Sequence, residues 1–375
     1  MVLSKLLWER DIHYDLLANN VTNSNPIKTA IKEQASSRSP VRSKARSPKR
    51  VYDRLYVGAS LKYDWKNFYP LTNIYEYMDE LERTYPSTCT VSVIGKTCEG
   101  RDIKLIKVSN SNVTNTGIWL DATTHAREWI TASAVMFIAD YIVRNFDKLP
   151  QSVTNKDWYM LPVVNPDGYF YTHTVDRMWR KNRAKHGNFA VGVDLNRNFS
   201  HNWGSGNEVT HEPTGLNYRG SDPFSEPETS AIKNMILYSG TPFKVFISFH
   251  SCSEVICFPW CCTAEPCPDY VNLLEGGTAM AKAIYETTSR MYKVGSFKDT
   301  MYYASGTSID WSYGTAHIPF SYLIELRSKQ DRFQLPKEEI YDCCKEALSA
   351  VLALLPVVDK KKCLNCAVIT KSLRQ

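Results

Sequence analysis

Four residues in this chain carry side chains that can bind a metal ion or transfer protons, and each lies at or near the end of an apolar segment. His125 and Glu128 stand three residues apart in "THAREW", shortly after the apolar run "GIWLDA". His250 ends the alternating run "FKVFISFH", and Glu325 lies within "PFSYLIELR". Because an imidazole or carboxylate buried without a partner is costly, these positions indicate functional or paired side chains.

Each of the four residues has an ordinary explanation when it is taken alone. A His-x-x-Glu spacing is common, His250 alone would be a hydrogen-bonded histidine at the edge of the core, and Glu325 alone would pair with Arg327. Together they fit one chemistry. Two imidazoles and a carboxylate give zinc three protein ligands and leave a fourth position for water, and another carboxylate nearby can act as a general base. The set predicts a catalytic zinc site rather than a structural one.

Two further segments carry basic residues that can bind an anion. "RMWRKNR" contains Arg177, Arg180 and Arg183, and "VGVDLNRNFS" contains Asn196 and Arg197. A guanidinium group pairs a carboxylate through two parallel hydrogen bonds. We interpret the Asn–Arg pair as lacking a compensating acid and therefore as suited to an anionic end group. For each segment taken separately, a solvated basic loop explains the pattern equally well.

The elements that must position these residues alternate between strands and helices from about residue 63 onward. The strands are predicted at "IKLIKVS", "GIWLDA", "DWYMLPVVNPDGY" (a strand that ends in a turn), "FKVFISFH" and "PFSYLIELR", and the helices at "NIYEYMDELERTY", "WITASAVMFIADYIV" and "PKEEIYDCCKEALSAVLALL". This order favours a single α/β catalytic domain whose twisted sheet is mixed but largely parallel, with helices on both faces. In such sheets, functional residues gather where loops leave the strand ends.

Composition allows a packed core and argues against a membrane span. The 375 residues are 43% hydrophobic and 12% aromatic, and the longest apolar stretches fall short of the ~18 residues that a spanning helix needs. The beginning, "MVLSKLLWERDIHYD", is not a convincing secretory signal. We therefore expect no membrane partner.

Eleven cysteines favour an oxidising, extracellular compartment, although an odd number leaves one thiol unpaired within a monomer. Five of them lie in "SCSEVICFPWCCTAEPC", where disulfide bonds are expected. The terminal "CLNC" could be a redox or metal element, but a tail disulfide is favoured. The sequons at Asn20, Asn112 and Asn198 permit glycosylation.

The basic residues concentrate in residues 36–50, "SSRSPVRSKARSPKR", which contain six basic side chains and no acid. Because the net charge of the chain is +6, the remainder is close to neutral. A nucleic-acid or nuclear-import segment, a tether cut by trypsin-like proteases and a tail without a role all fit this composition. Nothing downstream resembles a nucleic-acid-binding module, so we expect no nucleic-acid partner and favour the cleavable tether.

Several motifs together resemble the zinc metallocarboxypeptidases of the carboxypeptidase A/B family. They occur in the family's order and near its spacing between about residues 63 and 358: "THAREW", "VVNPDGY", "MWRKNR", "GVDLNRNF", "SFHS", "YASGTSIDWSYG" and "IELR". The resemblance implies a monomeric exopeptidase with one Zn²⁺ per chain, acting on peptides and proteins that have a free C-terminal carboxylate. Carboxypeptidase A is itself a standard example of a His, His, Glu zinc site.

Carried over residue by residue, the resemblance implies roles for single side chains. His125, Glu128 and His250 would bind zinc, Glu325 would be the general base and proton shuttle, and Arg180 would polarise the scissile carbonyl. The substrate would be held by Asn196 and Arg197 at its terminal carboxylate, by the mobile Tyr302 and by Arg127. A catalytically silent protein that binds peptide ends is the alternative.

The residue removed from the substrate is expected to be apolar or aromatic. In the family an acidic residue after "ASGxS" goes with basic C-terminal residues, whereas this chain has Ile309, followed by Asp310. The other pocket positions that match the family are also apolar, and several are bulky: Cys257, Cys261, Phe297, Met301 and Leu323.

The resemblance also divides the chain. Residues 1–50 are expected to hold a prodomain remnant and a basic cleavable linker, residues 51–62 a connecting segment, residues 63–358 the catalytic domain, and residues 359–375 a tail with lysines and cysteines. "RDIHYDLLANNV" resembles only the last strand of a family prodomain. We therefore expect a truncated proenzyme that a trypsin-like protease cuts near "SPKR" and that masks its active site poorly.

Overall fold

The computed structural model describes residues 63–187, 190–206, 210–327 and 329–360. The expected prodomain remnant and linker (residues 1–50), the connecting segment (residues 51–62) and the tail beyond residue 360 lie outside the described residues.

Helices of very different lengths cover the described chain. The long ones have apolar faces that pack on the sheet, and short 3₁₀ turns occur at Phe146–Lys148, Leu195–Arg197 and Lys337–Glu339. The α-helices are α1 (Leu71–Thr84), α2 (Trp129–Asn145), α3 (Gln151–Thr154), α4 (Pro166–Thr174), α5 (Pro227–Tyr238), α6 (Tyr270–Thr288), α7 (Phe297–Thr300), α8 (Ser308–Gly314) and α9 (Ile340–Lys360).

Eight strands form one mixed sheet in the order β1-β2-β4-β3-β7-β10-β8-β9. The central pairs β4–β3, β3–β7 and β7–β10 are parallel, as is β8–β9, and the remaining pairs are antiparallel. The sheet is thus mixed and largely parallel, as predicted. Its strands are β1 (Cys89–Lys96), β2 (Asp102–Val108), β3 (Thr116–Ala122), β4 (Lys156–Leu161), β7 (Phe243–Ser251), β8 (Val255–Phe258), β9 (Lys293–Ser296) and β10 (Phe320–Leu326), while β5 (Lys185–His186) and β6 (Ala190–Val191) form a separate pair.

A hydrophobic core lies on each face of the sheet. In β3, Ile118 and Leu120 join the cluster formed with α1, α2, α6 and α9, whereas Trp119 joins the cluster formed with α5 and α8. This alternation follows from the two-residue period of a strand whose two faces are both covered. Helices on both faces confirm the predicted layers.

The sheet topology decides where the candidate residues meet. Since β3, β7 and β10 are parallel neighbours, their carboxyl ends, at Ala122, Ser251 and Leu326, lie along one edge. His125 follows β3, while His250 and Glu325 lie near the carboxyl ends of β7 and β10. The fold therefore brings together residues that are 200 positions apart in the sequence.

The predicted strands and helices are all present, and the last helix extends further than its pattern indicated. α9 continues through Pro356 to Lys360, although proline supplies no N–H for the Leu352 carbonyl. Leu354, Leu355 and Val358 are buried around this point, and their packing offsets the lost hydrogen bond. Among the described residues, no helix has the length and apolarity needed to cross a membrane.

Candidate metal centre and substrate site

Three buried ligand atoms converge at the carboxyl edge of the sheet. His125 Nδ1 lies 2.9 Å from Glu128 Oε1, and His250 Nδ1 lies 3.1 Å from Glu128 Oε2. The two Nδ1 atoms are 3.1 Å apart. All three residues are at least 96% buried, and they form the one group of this kind found in the part of the chain that the structure describes.

Local structure directs each of these side chains. The loop between β3 and α2 carries His125, and Glu128 is the residue that precedes α2. The N–H of Glu128 donates to the His125 carbonyl at 3.2 Å. This tight turn places the Glu128 carboxylate next to the His125 imidazole. Two residues that are three positions apart can therefore both face one metal ion.

Outer contacts fix both imidazole rings. His125 Nε2 lies 3.2 Å from Asp194 Oδ1, and His250 Nε2 lies 3.2 Å from Ser248 Oγ, which donates to Asp121 Oδ1 at 2.6 Å. In each ring the Nε2 atom donates outward, and the Nδ1 atom is left to act as a ligand. We assign these tautomers from the positions of the hydrogen-bond partners of the two Nε2 atoms.

The residues fit a zinc ion. A tetrahedral ion about 2.05 Å from two nitrogens places them about 3.3 Å apart, close to the observed separation of the two Nδ1 atoms. Burial lowers the pKa of His125, and the nearby Arg180 charge lowers it further. Burial acts in the same sense on His250, but the adjacent Glu128 carboxylate raises the pKa of His250 overall. A borderline cation suits this mixture of nitrogen and oxygen donors.

Glu325 stands beside the metal centre. It is the register partner of His250 across the parallel β7–β10 pair and of Val255 across the antiparallel β10–β8 pair. It is only partly buried, whereas the rest of β10 is buried. The ordinary explanation, an ion pair with Arg327, does not hold, because the Arg327 guanidinium donates to Glu339 and Glu346.

Arg180 is tied to the metal centre through Asp194. Arg180 Nη2 donates to Asp194 Oδ2 at 2.8 Å, while the other oxygen of Asp194 faces His125. Burial alone would raise the pKa of Asp194, but the charges of Arg180, His125 and Arg197 hold it well below its usual range. The interpretation that the "DLNRN" segment lacks a compensating acid is wrong, because Asp194 is that acid.

Asn196 and Arg197 lie on the 3₁₀ turn that Asp194 caps. Asn196 Oδ1 accepts the Ser308 N–H at 2.9 Å. Arg197 is 1% exposed, its Nη1 donates to the Asn196 carbonyl at 2.9 Å, and its Nη2 faces the Tyr302 hydroxyl at 3.4 Å. Arg197 Nε has no partner within the described chain. Tyr302 itself is 36% exposed, so it lies at the mouth of the site.

The other basic candidates have guanidinium groups that stack on aromatic rings. Arg127 is buried and lies 4.1 Å from the centroid of the Phe333 ring, and Arg177 Nη1 donates to the Arg127 carbonyl. Arg183 stacks on Tyr171 at 3.7 Å. Arg177 and Arg183 thus pack on the rings of Trp129 and Tyr171, whereas Arg180 contacts Asp194, which faces His125.

The apolar positions that match the family pocket gather in one hydrophobic cluster. Ile309, Cys257, Cys261 and Leu323 are fully or almost fully buried in one cluster, which also contains Phe297 and is flanked by Met301. Asp310 is buried as well, and its oxygens accept the N–H groups of Cys261 and Cys262 at 2.9–3.1 Å. Its carboxylate therefore shapes the Cys261–Cys262 turn beside this cluster.

The expected disulfide bonds are not seen in the described part of the chain. All nine cysteines there are free thiols: Cys89, Cys98, Cys252, Cys257, Cys261, Cys262, Cys267, Cys343 and Cys344. The "CLNC" cysteines fall outside the described residues.

Sequence reasoning missed Asp194, Ser248 and Asp121, which hold the ligands and not the metal. The signal for Asp194 was its place two residues before Asn196 in the motif. The rule that a metal-binding histidine donates its second N–H to a carboxylate, carbonyl or water could have found it.

Comparison of the sequence and the structure with known proteins identifies the family of this chain. A profile described as zinc carboxypeptidase matches residues 74–350. The chain belongs to the zinc carboxypeptidase family. It is 35% identical to carboxypeptidase O of Bos taurus over 305 residues, which cover 80% of this chain and 81% of that protein. It is also 35% identical to carboxypeptidase A1 of Rattus norvegicus, over 78% of this chain and 70% of that protein.

Solved structures agree with the sequence relatives of this carboxypeptidase. Bovine thrombin-activatable fibrinolysis inhibitor, in a complex with tick carboxypeptidase inhibitor, has a TM-score of 0.74 and 33% identity, covering 79% of this chain and 99% of that one. Carboxypeptidase A from Helicoverpa armigera has a TM-score of 0.74 and 30% identity, covering 83% and 80%. The chain is thus a metallocarboxypeptidase by family, and membership of this family implies hydrolysis of C-terminal peptide bonds.

Proposed function

We propose that this carboxypeptidase is catalytically competent and removes apolar or aromatic residues from the C-terminus of peptides and proteins. The observation that carries the proposal is the convergence of His125, Glu128 and His250 at one strand edge, with Glu325 in register beside His250. A peptide-binding protein without activity would not need the base, and nothing in the geometry favours that alternative.

The metal would be held by His125, Glu128 and His250, one ion per chain. When bound, zinc supplies a Lewis acid and lowers the pKa of a coordinated water molecule towards ~7. Asp194 and the Ser248–Asp121 pair keep both rings oriented for this task. Hydrogen bonds of this kind to Nε2 commonly orient the histidines that bind a metal ion.

Glu325 would transfer the proton. As the general base it takes a proton from the water that attacks the last peptide bond, and it then gives this proton to the departing amine. Its partial exposure beside His250 suits a group that has to reach both the attacking water and the substrate.

Arg180 would stabilise the negative charge that develops on the scissile carbonyl oxygen. Its Nη2 is held by Asp194, and its Nε is buried without a protein partner among the described residues. A preorganised donor in a site with little water is worth far more than in solution. The Asp194 carboxylate keeps this guanidinium in place while the reaction proceeds.

Recognition of the substrate's end would fall to Asn196 and Arg197. A buried guanidinium with an unpartnered N–H is costly without an anion, and the terminal carboxylate supplies one. Tyr302, which is partly exposed, and the buried Arg127 would add further contacts to the substrate. This charge recognition restricts cleavage to the last peptide bond.

The apolar cluster that contains Ile309 supports the proposed preference for apolar ends. Ile309 is fully buried in this cluster, and the carboxylate of the adjacent Asp310 accepts two backbone N–H groups. A lysine or arginine side chain entering this cluster would lose its hydration without gaining an ion pair. Asp310 would contribute to binding by holding the Cys261–Cys262 turn.

The test is the release of amino acids from peptides that end in Phe, Leu or Arg. We expect release from the Phe and Leu peptides to be abolished by a chelator and restored by zinc. Identical peptides with an amidated C-terminus are the control and should react poorly, since they offer Arg197 no carboxylate. A dominant rate on Arg would contradict the specificity, and binding without product would favour the silent alternative.

We further propose, from the family and from the basic residues near position 50, that the chain is secreted, monomeric and activated by a trypsin-like protease near residues 47–50. The exposed sequon at Asn112, whose neighbour Val113 is 97% exposed, is compatible with secretion. Asn198 is buried and donates to Arg219, Asp222 and Ser225, so it is not available for a glycan.

A further inference from the structure

A buried ion pair holds the chain directly after Glu325. Arg327 follows β10, and its Nε donates to Glu346 Oε2 at 3.2 Å while its Nη2 donates to the other oxygen of Glu346. Its Nη1 donates to Glu339 at 2.8 Å. Arg327 is 4% exposed and Glu346, on α9, is fully buried.

Tyr292 extends this ion pair to the backbone. Its hydroxyl donates to Glu346 Oε2 at 3.0 Å and accepts the Arg327 backbone N–H at 3.0 Å. The Thr288 hydroxyl donates to the other oxygen of Glu346. One carboxylate thus restrains both the side chain and the main chain of Arg327. We call Arg327, Glu346 and Tyr292 the Arg327 clamp.

Stability alone is a poor explanation for the Arg327 clamp. A buried ion pair often contributes no more than apolar residues of the same volume would, because desolvation offsets the attraction. What the pair does fix is geometry. The β7–β10 register ends at Leu326, which pairs with Ser251, and on the β8 side the Glu254 N–H approaches the Leu326 carbonyl only at 3.5 Å. Directly after this last pair, the Arg327 side chain and the Tyr292 hydroxyl hold the chain.

We propose that the Arg327 clamp positions Glu325 for proton transfer. Glu325 is two residues before Arg327 and is the register partner of His250, so a shift of the strand end would move its carboxylate relative to the metal centre. A misplacement of about 1 Å at a reacting group costs roughly 10²-fold in rate. This inference rests on the proposed hydrolase activity and adds positioning residues to it.

The test is Tyr292→Phe, which removes one hydroxyl and leaves the Arg327–Glu346 pair. We expect kcat to fall about tenfold or more. KM should stay within about twofold and zinc content should match the wild type, because the substrate and metal contacts are unchanged. Arg327→Lys, which keeps the charge but loses the two-pronged contact, should show the same selective fall in kcat.

A matched control is Tyr77→Phe. Tyr77 and Tyr292 are both 7% exposed, and the Tyr77 hydroxyl donates to Asp140, which pairs with Arg144. Equal losses in Tm with a fall in kcat only for Tyr292→Phe would support the inference. Wild-type kcat in Tyr292→Phe, or a fall matched by Tyr77→Phe or by lost zinc, would overturn it. An inactive wild type would instead overturn the proposed function itself.

Discussion

At the scale of single residues, one carboxylate connects two parts of the site. Asp194 receives His125 Nε2 on one oxygen and Arg180 Nη2 on the other, and it also caps the turn that carries Asn196 and Arg197. The candidate metal centre, the proposed oxyanion donor and the residues proposed to bind the terminal carboxylate therefore share one hydrogen-bonding partner. A change at Asp194 should affect the metal and the chemistry together.

We predict that Asp194→Asn weakens zinc affinity by about 10- to 100-fold. The amide keeps the shape of the side chain but removes the charge that orients His125, and it can no longer neutralise Arg180. Competition with a chelating dye measures the affinity, and kcat on a peptide ending in Phe should fall as well.

A suitable control for Asp194→Asn is Asp157→Asn. Asp157 is also buried and accepts from Ser109, Asn115 and Lys107, but it lies near the amino end of β4, away from the metal centre. It should lower Tm without changing zinc affinity. Unchanged affinity in Asp194→Asn would show that the carboxylate does not orient the ligand.

At the scale of elements, the first turn of α5 holds a carboxylate that no step of the proposed reaction uses. Glu228 is fully buried, its Oε1 has no partner among the described residues, and its Oε2 accepts a long bond from Asn182 at 3.3 Å. Burial first of all, and then the neighbouring Glu226, raises the pKa of Glu228 to about 8. The group is thus held in its neutral form near pH 7.

We predict that Glu228→Gln stabilises the protein increasingly as the pH rises. The folded pKa is above the unfolded value of about 4.3, so the stabilising effect is complete below the unfolded value. It is lost as the pH rises through 8, by an amount on the order of a few kcal/mol. The glutamine cannot ionise and avoids this loss.

The measurement for Glu228→Gln is its Tm minus the wild-type Tm at several pH values. This difference should be small near pH 5 and reach several °C near pH 8. A difference that does not change with pH would mean that Glu228 is already ionised in the folded protein. The comparison needs no activity assay.

The parts of the fold that were predictable are those whose signal is local. A short run of apolar residues that includes β-branched ones is typical of a strand buried on both faces of a sheet. Three strands could be recognised in this way, namely "GIWLDA", "FKVFISFH" and "PFSYLIELR". The order of strands and the pairing of Glu325 with His250 depend on long-range contacts, for which a single sequence contains no direct signal. β8 and β9 are four residues each, too short to show a period.

The site shows the same division between local and distant information. His125 and Glu128 are predictable as a pair because they are three residues apart. His250 and Glu325 joined them only through their similar places at the ends of apolar strands, and the separate role of each residue came from the family motifs. Asp310 follows Ile309 in the sequence, yet its carboxylate binds backbone N–H groups 48 and 49 residues away. Whether such a side chain faces a substrate or the chain itself is decided by packing.

At the scale of the whole molecule, metal binding should contribute to the stability of the folded unit. The three ligand atoms converge only when β3 and β7 are neighbours, since His125 and His250 are 125 residues apart. An unfolded chain offers no such arrangement, so zinc binds the folded state preferentially. The three side chains are also buried, so a bound cation would be shielded from solvent.

We predict that zinc raises the Tm of the metal-free protein by several °C. At a free zinc concentration 100 times the Kd, the folded state gains about 2.7 kcal/mol, which corresponds to several °C for a chain of this size. Magnesium should have little effect, because it prefers oxygen ligands in octahedral geometry. His250→Ala should lose the response, whereas His186→Ala should retain it, since His186 lies on the separate β5–β6 pair. A zinc response that survives in His250→Ala would place the stabilising metal elsewhere and remove the physical basis for the proposed catalytic site.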